Sequence, residues 1–380
     1  MNRILFIALL AGGSMLSSAR AQELVKVGLL ELSNASSFTC SSASGAHRLI
    51  SPTGDFAQTI SGKSTVRCQS GKLSVAGLPD QDHLIIQPLI DGSLLRVSVP
   101  GKSLRKIPGL VHLFIHNGSI RCVLETPLEA YLPGVVVAEG GKGHAPNYYQ
   151  AQSIVCRTYT IQALGRHAIE GFDVCDGVHC QVFKGVSTVN DTIREGVWAT
   201  RDLILVDEQK QPIVAAFHSN CGGHTQGAEA VWQRAVPYLA GVSDAFCLTY
   251  PHSHWEQLIS TQKWSDWLES ERGYESEIDN WLPTKRSAFL MDSVDAIRTA
   301  RARSAFGFRS GFFIALEEGD STRVIGQGFG HGVGFCQEGA MGRAAAGHGV
   351  WEILKHYYRG VSLLPWQESE GAPVLKDLGE

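Results

Sequence analysis

Between residues 24 and 124 the apolar positions come in short runs. VKVGLLEL, LIIQPLI, LLRVSV and LVHLFI are rich in Val, Leu and Ile, and the turn formers SPTGD, SGKS, PDQD, DGS and HNGS separate them. Short apolar runs between turn signals predict strands. The pattern changes at residue 125. Pro127 and Pro133 punctuate a segment in which residues 128–132 predict a short helix, and the strand-like, turn-like run after it ends on a loop at Glu139. Pro146 stands where a helix would begin. From there Tyr149, Ile154, Val155, Thr158, Ile161 and Leu164 recur near the helical period, up to a stop at Gly165.

Residues 191–206 predict a helix leading into a strand. A turn at 208–211 then leads to a second strand, PIVAAFHSN, ending at His218 and Ser219. WEQLISTQKWSDWLESERG predicts a helix and marks an insertion over residues 250–300. Two further strands flank a turn at 318–321. Gly326, Gly328, Gly330, Gly332 and Gly334 then alternate with other residues. On a strand that spacing leaves one face bare, so another part of the chain packs closely against it. Gln337 opens a helix through Ala346, and WEILKHYYRG is a final amphipathic helix. The fold class is α+β: a β-rich part (22–124), then a mixed domain (125–365) with a groove lined by loops and one central helix, and a tail (366–380).

The first 21 residues carry Arg3, an apolar run at 4–10 and Ala19-Arg20-Ala21. A basic start, an apolar stretch and a small-x-small site predict a cleaved secretory signal, and the run is too short to span a bilayer. The expected location is therefore the periplasm or another extracytoplasmic space. The formal net charge is −4, and removing the leader takes away two arginines and no acid. Such a balance gives no nucleic-acid footprint. Of the composition, the 44 % hydrophobic content is enough for a substantial core, and the 41 glycines favour a loop-rich mixed or β-rich chain over a helical bundle.

Nine cysteines are present, and in an exported protein several are expected to pair. Nine is odd, so at least one stays unpaired within the chain. Cys156 lies on an apolar helical face and is expected to be a buried thiol, while Cys40 and Cys68 are candidates for a staple in the β-rich part. Cys175, His179 and Cys180 are close enough to share a metal. A fourth ligand from His167, His218, Cys221 or His224 would depend on the fold. The competing reading, favoured in an oxidising compartment, is a Cys175–Cys180 disulfide.

Candidate chemistry centres on Glu139. An acid facing a helix that carries Arg157 and Tyr159 can act as a general acid. Arg157 and Tyr159 lie about 160° apart on that helix, so one of them braces the structure. His218 and Ser219 are strand neighbours with opposed side chains. His224 could reach Ser219, but no G-x-S-x-G elbow is present, so serine hydrolysis is set aside. A phosphate loop at the glycine run is set aside because no Lys-Ser/Thr follows. His47, His83, His112 and His116 are scattered; the tryptophans could stack on sugar faces, but aromatics fill cores more often, and nothing in the sequence separates the two roles.

Eight pieces in order, PLEAYLPGVVVAE, AQSIVCRTYT, DVCDGVHCQVFKG, FHSNCGGHT, VPYL, GFRS, GQGFGHGVGFCQEGA and ILKHYYRG, resemble the stage II sporulation protein D family with its amidase-enhancer relatives. The resemblance covers about residues 25–360. It implies a peptidoglycan lytic transglycosylase acting on glycan strands stripped of stem peptides, with Glu139 as the catalytic acid and base. It places Arg157, Tyr159, His331 and Gln337 in cleft-lining motifs, and His218, Ser219 and His224 join them as substrate-contact candidates. No cofactor is required by that chemistry. Zinc is an option, because one type of relative binds it near a Cys–His-Cys stretch spaced differently from CDGVHC. Implied partners are peptidoglycan strands, an amidase and other cell-wall proteins. Two departures stand out. Ala138-Glu139-Gly140 replaces the family's usual Ser-Glu-Met, and Cys336-Gln337-Glu338 replaces Ser-Gln-Tyr. The expectation is that Cys336 and Glu338 alter substrate contacts or weaken activity; Glu338 is the candidate second carboxylate, which makes hydrolysis the runner-up chemistry. The alternative function is a glycan-binding activator of an N-acetylmuramoyl-L-alanine amidase.

Overall fold

The computed structural model describes residues 23–232, 234–272, 280–281 and 297–370. Residues 1–22, with the expected leader at 1–21, much of the insertion and the end of the tail lie outside the described residues. The chain is α+β. Its first hundred described residues form two mainly antiparallel sheets. One has seven strands, ordered Val174–Cys175, Leu24–Gly28, Ser119–Pro127, Leu110–His116, His83–Pro88, His47–Ile50 and Ala57–Thr59. The other has five, ordered Lys72–Ser74, Ser64–Gln69, Ser37–Ser44, Leu94–Ser98 and Arg105–Pro108. Alternate residues such as Leu84 and Ile86, Leu95 and Val97, and Val111 and Leu113 are buried. This is the period of two expected of strands with one face on a core.

Among the described residues eight α-helices follow: α1 (Leu128–Gly140), α2 (Pro146–Gln162), α3 (Asp191–Ala199), α4 (Ala228–Trp232), α5 (Thr261–Arg272), α6 (Thr299–Phe306), α7 (Gln337–Ala345) and α8 (Val350–Tyr357). Helix α2 is central and packs against α1, α3, α7, α8 and the strand Leu203–Val206. Pro146 opens it, and Gly165, in the left-handed region, lies just beyond its end. Cys156 is buried within it and accepts from Gln152 Nε2 at 3.1 Å. The core is continuous from the two sheets into this helical layer.

Helix α1 corrects the sequence reading. Residues 133–139 are helical, so Glu139 stands on the last turn of a helix and not on a loop. Pro133 and Gly134 suggested a turn and Val135–Val136–Val137 a strand. Gly134 instead makes room for Phe183: a Cβ there would lie 2.4 Å from the Phe183 ring. Leu128, Tyr131, Leu132 and the three valines are all buried. A helix buried on every side shows no amphipathic period.

The insertion also differs from expectation. His254–Ser260 is a strand, and only the part from Thr261 is helical. The strand pairs with Ser321–Gln327, which pairs in turn with Phe313–Glu318. Trp255, Trp264, Leu268, Phe308, Phe313 and Val324 form a second, smaller core there. The glycine run departs in the same way, since its strand stops at Gln327. Gly328, Gly330, Gly332 and Gly334 all have positive φ, forming an irregular loop. The expected close packing is present: a Cβ on Gly330 would lie 2.8 Å from the Cβ of His218.

Candidate active site

Two parallel two-residue strands, Phe217–His218 and Phe335–Cys336, bring the FHSNCGGHT and glycine-rich segments together beside α1 and α2. Between them lies a cavity of about 570 Å³. Of the candidates, Glu139, Tyr159, His218, Ser219, His331 and Gln337 line it, as do His179 and Cys180. Glu139 is the single carboxylate among the described lining residues.

The segment 173–185 positions the acid. Asp176, buried, accepts from Arg105 Nη1 at 2.7 Å and from the Leu30 N–H at 2.9 Å, which ties the segment to the β-rich part. Gln181 Nε2 donates to Thr160 Oγ1 at 2.8 Å. So held, Val182 donates its N–H to Glu139 Oε1 at 2.6 Å. Burial raises the Glu139 pKa, and the Val182 hydrogen bond opposes that in part. Desolvation penalises the charged form, so the site favours a protonated carboxyl. Gln337 Nε2 donates to the Glu139 carbonyl at 3.2 Å and fixes the end of α1. Gly140 sits under Tyr148: a Cβ would lie 2.3 Å from its hydroxyl oxygen.

Four site readings are revised. Arg157 does not border the cavity. It is fully buried, and its Nε and Nη2 donate to Glu129 Oε1 and Oε2 at 2.7 and 2.8 Å, with further bonds to the carbonyls of Val197 and Leu203. It is the brace, and Tyr159 is the residue that faces the cavity. His224 is exposed, away from the cavity, with Nδ1 donating to the Thr225 carbonyl at 2.6 Å. Glu338 points away as well, accepting from Asn220 Nδ2 and bonding His252 Nδ1, both at 2.6 Å. It supplies no second carboxylate to the cleft. Cys336 is likewise fully buried and outside the lining. The side chains of Arg157, Glu338 and Cys336 each follow a close partner contributed by a distant segment, whereas that of His224 turns to its neighbour Thr225.

His331 and His218 line the cavity with nitrogens engaged by backbone. The Val333 N–H donates to His331 Nδ1 at 3.1 Å, so Nε2 carries the proton and donates to the Phe217 carbonyl at 3.0 Å. His218 Nδ1 donates to the Val333 carbonyl at 3.1 Å. Residues that the sequence reading did not single out as site members also line the cavity: Gln162, Arg166, Trp232, Arg303 and Phe329. Arg166 Nη1 donates to Tyr159 Oη at 2.7 Å. It lies beyond the end of α2, past the Gly165 turn, so helical spacing from Tyr159 gave no signal for it. Trp232 stands 5.7 Å from the His331 ring, ring centre to ring centre.

None of the nine cysteines, all of them among the described residues, is joined in a disulfide. The expected staple is absent: Cys40 is buried, and Cys68 Sγ donates to the Gly118 carbonyl. Around Cys175 and Cys180 the geometry is that of a cluster. The ligand atoms of His167, Cys175, His179 and Cys180 all lie within 4.8 Å of one another. Glu170 Oε1 accepts from His167 Nδ1 at 2.7 Å, leaving Nε2 toward Cys180 Sγ at 3.4 Å. Two imidazoles and two sulfurs, one imidazole oriented by a carboxylate, fit a tetrahedral zinc ion.

The comparisons agree with this architecture. The Stage II sporulation protein (SpoIID) family matches residues 116–206. The chain is 29% identical over 267 residues to Stage II sporulation protein D of Bacillus amyloliquefaciens, covering 66% of this chain and 77% of that protein. It is 30% identical over 260 residues to an uncharacterized protein of Brachyspira hyodysenteriae, covering 66% of this chain and 70% of that one. An amidase enhancer of Bacillus subtilis is 25% identical over 292 residues, 61% of this chain and 40% of the enhancer. The chain belongs to the stage II sporulation protein D family. No helix among the described residues is long and apolar enough to cross a membrane.

Proposed function

We propose that the protein is a peptidoglycan lytic transglycosylase that cleaves the N-acetylmuramic acid–N-acetylglucosamine bond of peptide-stripped glycan strands, with Glu139 as general acid and base. Family membership supports a cell-wall-related role. The observation that carries the finer reading is the lone, partly desolvated carboxyl in a cleft large enough for sugar rings. Glu139 gives its proton to the glycosidic oxygen as the C1–O bond breaks and an oxocarbenium-like centre develops. The C6 hydroxyl of the same N-acetylmuramic acid attacks C1, and the Glu139 carboxylate takes the hydroxyl proton. The product is a 1,6-anhydro end, and the acid is restored to its starting state. One carboxyl suffices, whereas hydrolysis ordinarily uses two.

The cavity's other residues suit that substrate. Trp232 and Phe329 offer apolar ring surface to sugar faces, and Arg166 and Arg303 offer cations to the lactyl carboxylate. A zinc ion held by His167, Cys175, His179 and Cys180 would cross-link the segment that carries Val182 and so support the hydrogen bond to Glu139. The chemical step itself requires no cofactor. A leader at 1–21 would deliver the protein to its substrate outside the cytoplasm.

A second reading, a glycan-binding activator of an amidase, rests on the similarity to the amidase enhancer. Mass spectrometry of products from purified peptide-free strands, wild type beside Glu139→Gln, separates the two. Anhydro ends from the wild type alone support the transglycosylase. Reducing ends would mean hydrolysis. Binding without cleavage by both proteins would favour the activator.

A further inference from the structure

A second group of sulfurs lies on the other side of the cleft wall. Cys221, Cys247 and Cys336 come from three segments, the FHSNCGG loop, a short turn of helix at Ala245–Cys247 and the strand end before α7, and all three are fully buried. Asp244, also fully buried, completes the group, and one ligand atom from each residue lies within 4.8 Å of the other three. Cys221 Sγ is 3.5 Å from Cys247 Sγ and 3.8 Å from Asp244 Oδ2. A tetrahedral zinc ion with Zn–S bonds of about 2.3 Å sets its sulfurs about 3.8 Å apart, so the spacing is already that of a ligand shell.

The surroundings are arranged for negative charge. The N–H groups of Cys221 and Gly339 both donate to Cys336 Sγ at 3.3 Å, and that of Gly223 donates to Cys247 Sγ at 3.3 Å. Tyr357 Oη donates to Asp244 Oδ2 at 2.7 Å, and Arg343 Nη2 approaches Asp244 Oδ1 at 3.2 Å. Donors aimed at sulfur and at the outer lone pairs of a carboxylate are the supporting groups that orient ligands around a metal. A disulfide would use only two of the three sulfurs.

We propose that Cys221, Cys247, Cys336 and Asp244 bind one structural zinc ion. The donor set of three thiolates and a carboxylate is soft enough to select zinc. With four protein ligands and full burial, the site is closed, as structural zinc sites are. Binding releases the thiol protons. The ion would clamp the Cys221 loop, two residues beyond Ser219, to Cys336, the neighbour of Gln337. It thereby holds together two cleft-lining segments without touching substrate.

Metal analysis of the full-length protein tests this. A His167→Ala/His179→Ala double variant removes imidazoles from the other cluster, so the second site can be read in isolation. We expect one equivalent of zinc to remain in that variant and to be lost when Cys336→Ser is added. Cobalt exchanged into the double variant should give the near-ultraviolet charge-transfer absorption of several thiolate ligands, a readout that needs no substitution within the cluster. Zinc retained undiminished after Cys336→Ser in a folded protein overturns the proposal. So does a double variant that holds no zinc and gives no thiolate–cobalt band, or peptide mapping that finds Cys221 and Cys247 joined in a disulfide.

Discussion

The two ends of helix α1 each carry a glutamate, and the two are used in opposite ways. Near its start, Glu129 is clasped by both arms of the Arg157 guanidinium, which is itself fully buried. At its last turn, Glu139 receives a single backbone N–H on Oε1 and borders an open cavity. A bidentate guanidinium holds a carboxylate in place through two parallel hydrogen bonds. Desolvation raises the pKa of a carboxyl that has one neutral donor, so it keeps its proton to a higher pH than a solvated carboxyl does. The same side chain on the same helix is thus a buried strut or a cavity-lining carboxyl according to what the rest of the chain brings to it.

The sharpest way to break this contrast is Glu139→Gln. Loss of general acid–base catalysis should cut glycan cleavage by about 10²–10⁴-fold, read by mass spectrometry of released fragments, while the Val182 N–H keeps an acceptor oxygen. Activity close to wild type would remove Glu139 from the chemistry. Next comes Arg157→Ala, which leaves the Glu129 carboxylate without its cation. Breaking a buried pair costs about 3–5 kcal/mol, measurable by denaturant unfolding, whereas cleavage per folded molecule should change little. A variant with full stability and no activity would return Arg157 to the site.

A smaller effect links the two measurements. The folded-state pKa of Glu139 lies above the ordinary 4.5, so between those values the folded chain binds more protons than the unfolded one. Stability from this group is fully present below 4.5 and is lost as pH rises through the raised value. Glu139→Gln has no such loss, so at neutral pH the inactive variant should unfold at a higher temperature than wild type, and the gap should close toward pH 4. Wild-type cleavage should fall as pH rises through the same range. The smallest expected change is in Glu338→Gln: with Asn220 and His252 occupying this side chain, cleavage should still yield 1,6-anhydro ends, and a switch between anhydro and reducing ends would place a second carboxylate in the reaction.

What could be read from the chain follows the range of the interaction that decides each element. Helix α2 was legible because Pro146, Gly165 and the apolar period between them act locally. Helix α1 was not, because Gly134 serves Phe183, 49 residues later, and burial on every side erases the period. The strand His254–Ser260 is fixed by its partner Ser321–Gln327, and local composition favoured a helix. Within the site, the angle between Arg157 and Tyr159 required one of them to brace, but only Glu129 decides which. Glu338 and Cys336 drew attention as departures beside Gln337, yet α7 begins there, and consecutive side chains turn to different surroundings.

The hydrogen bond from Gln337 to the Glu139 carbonyl joins residues 198 positions apart. Ribosomes make the acid long before they make the residue that fixes the end of its helix, and contacts of such high order form late in folding. A growing or truncated chain that stops before Gly326 contains Glu139 but lacks the glycine-rich wall, His331 and Gln337. The molecule therefore carries its own timing: the candidate site is assembled only after the chain has been made through Gln337.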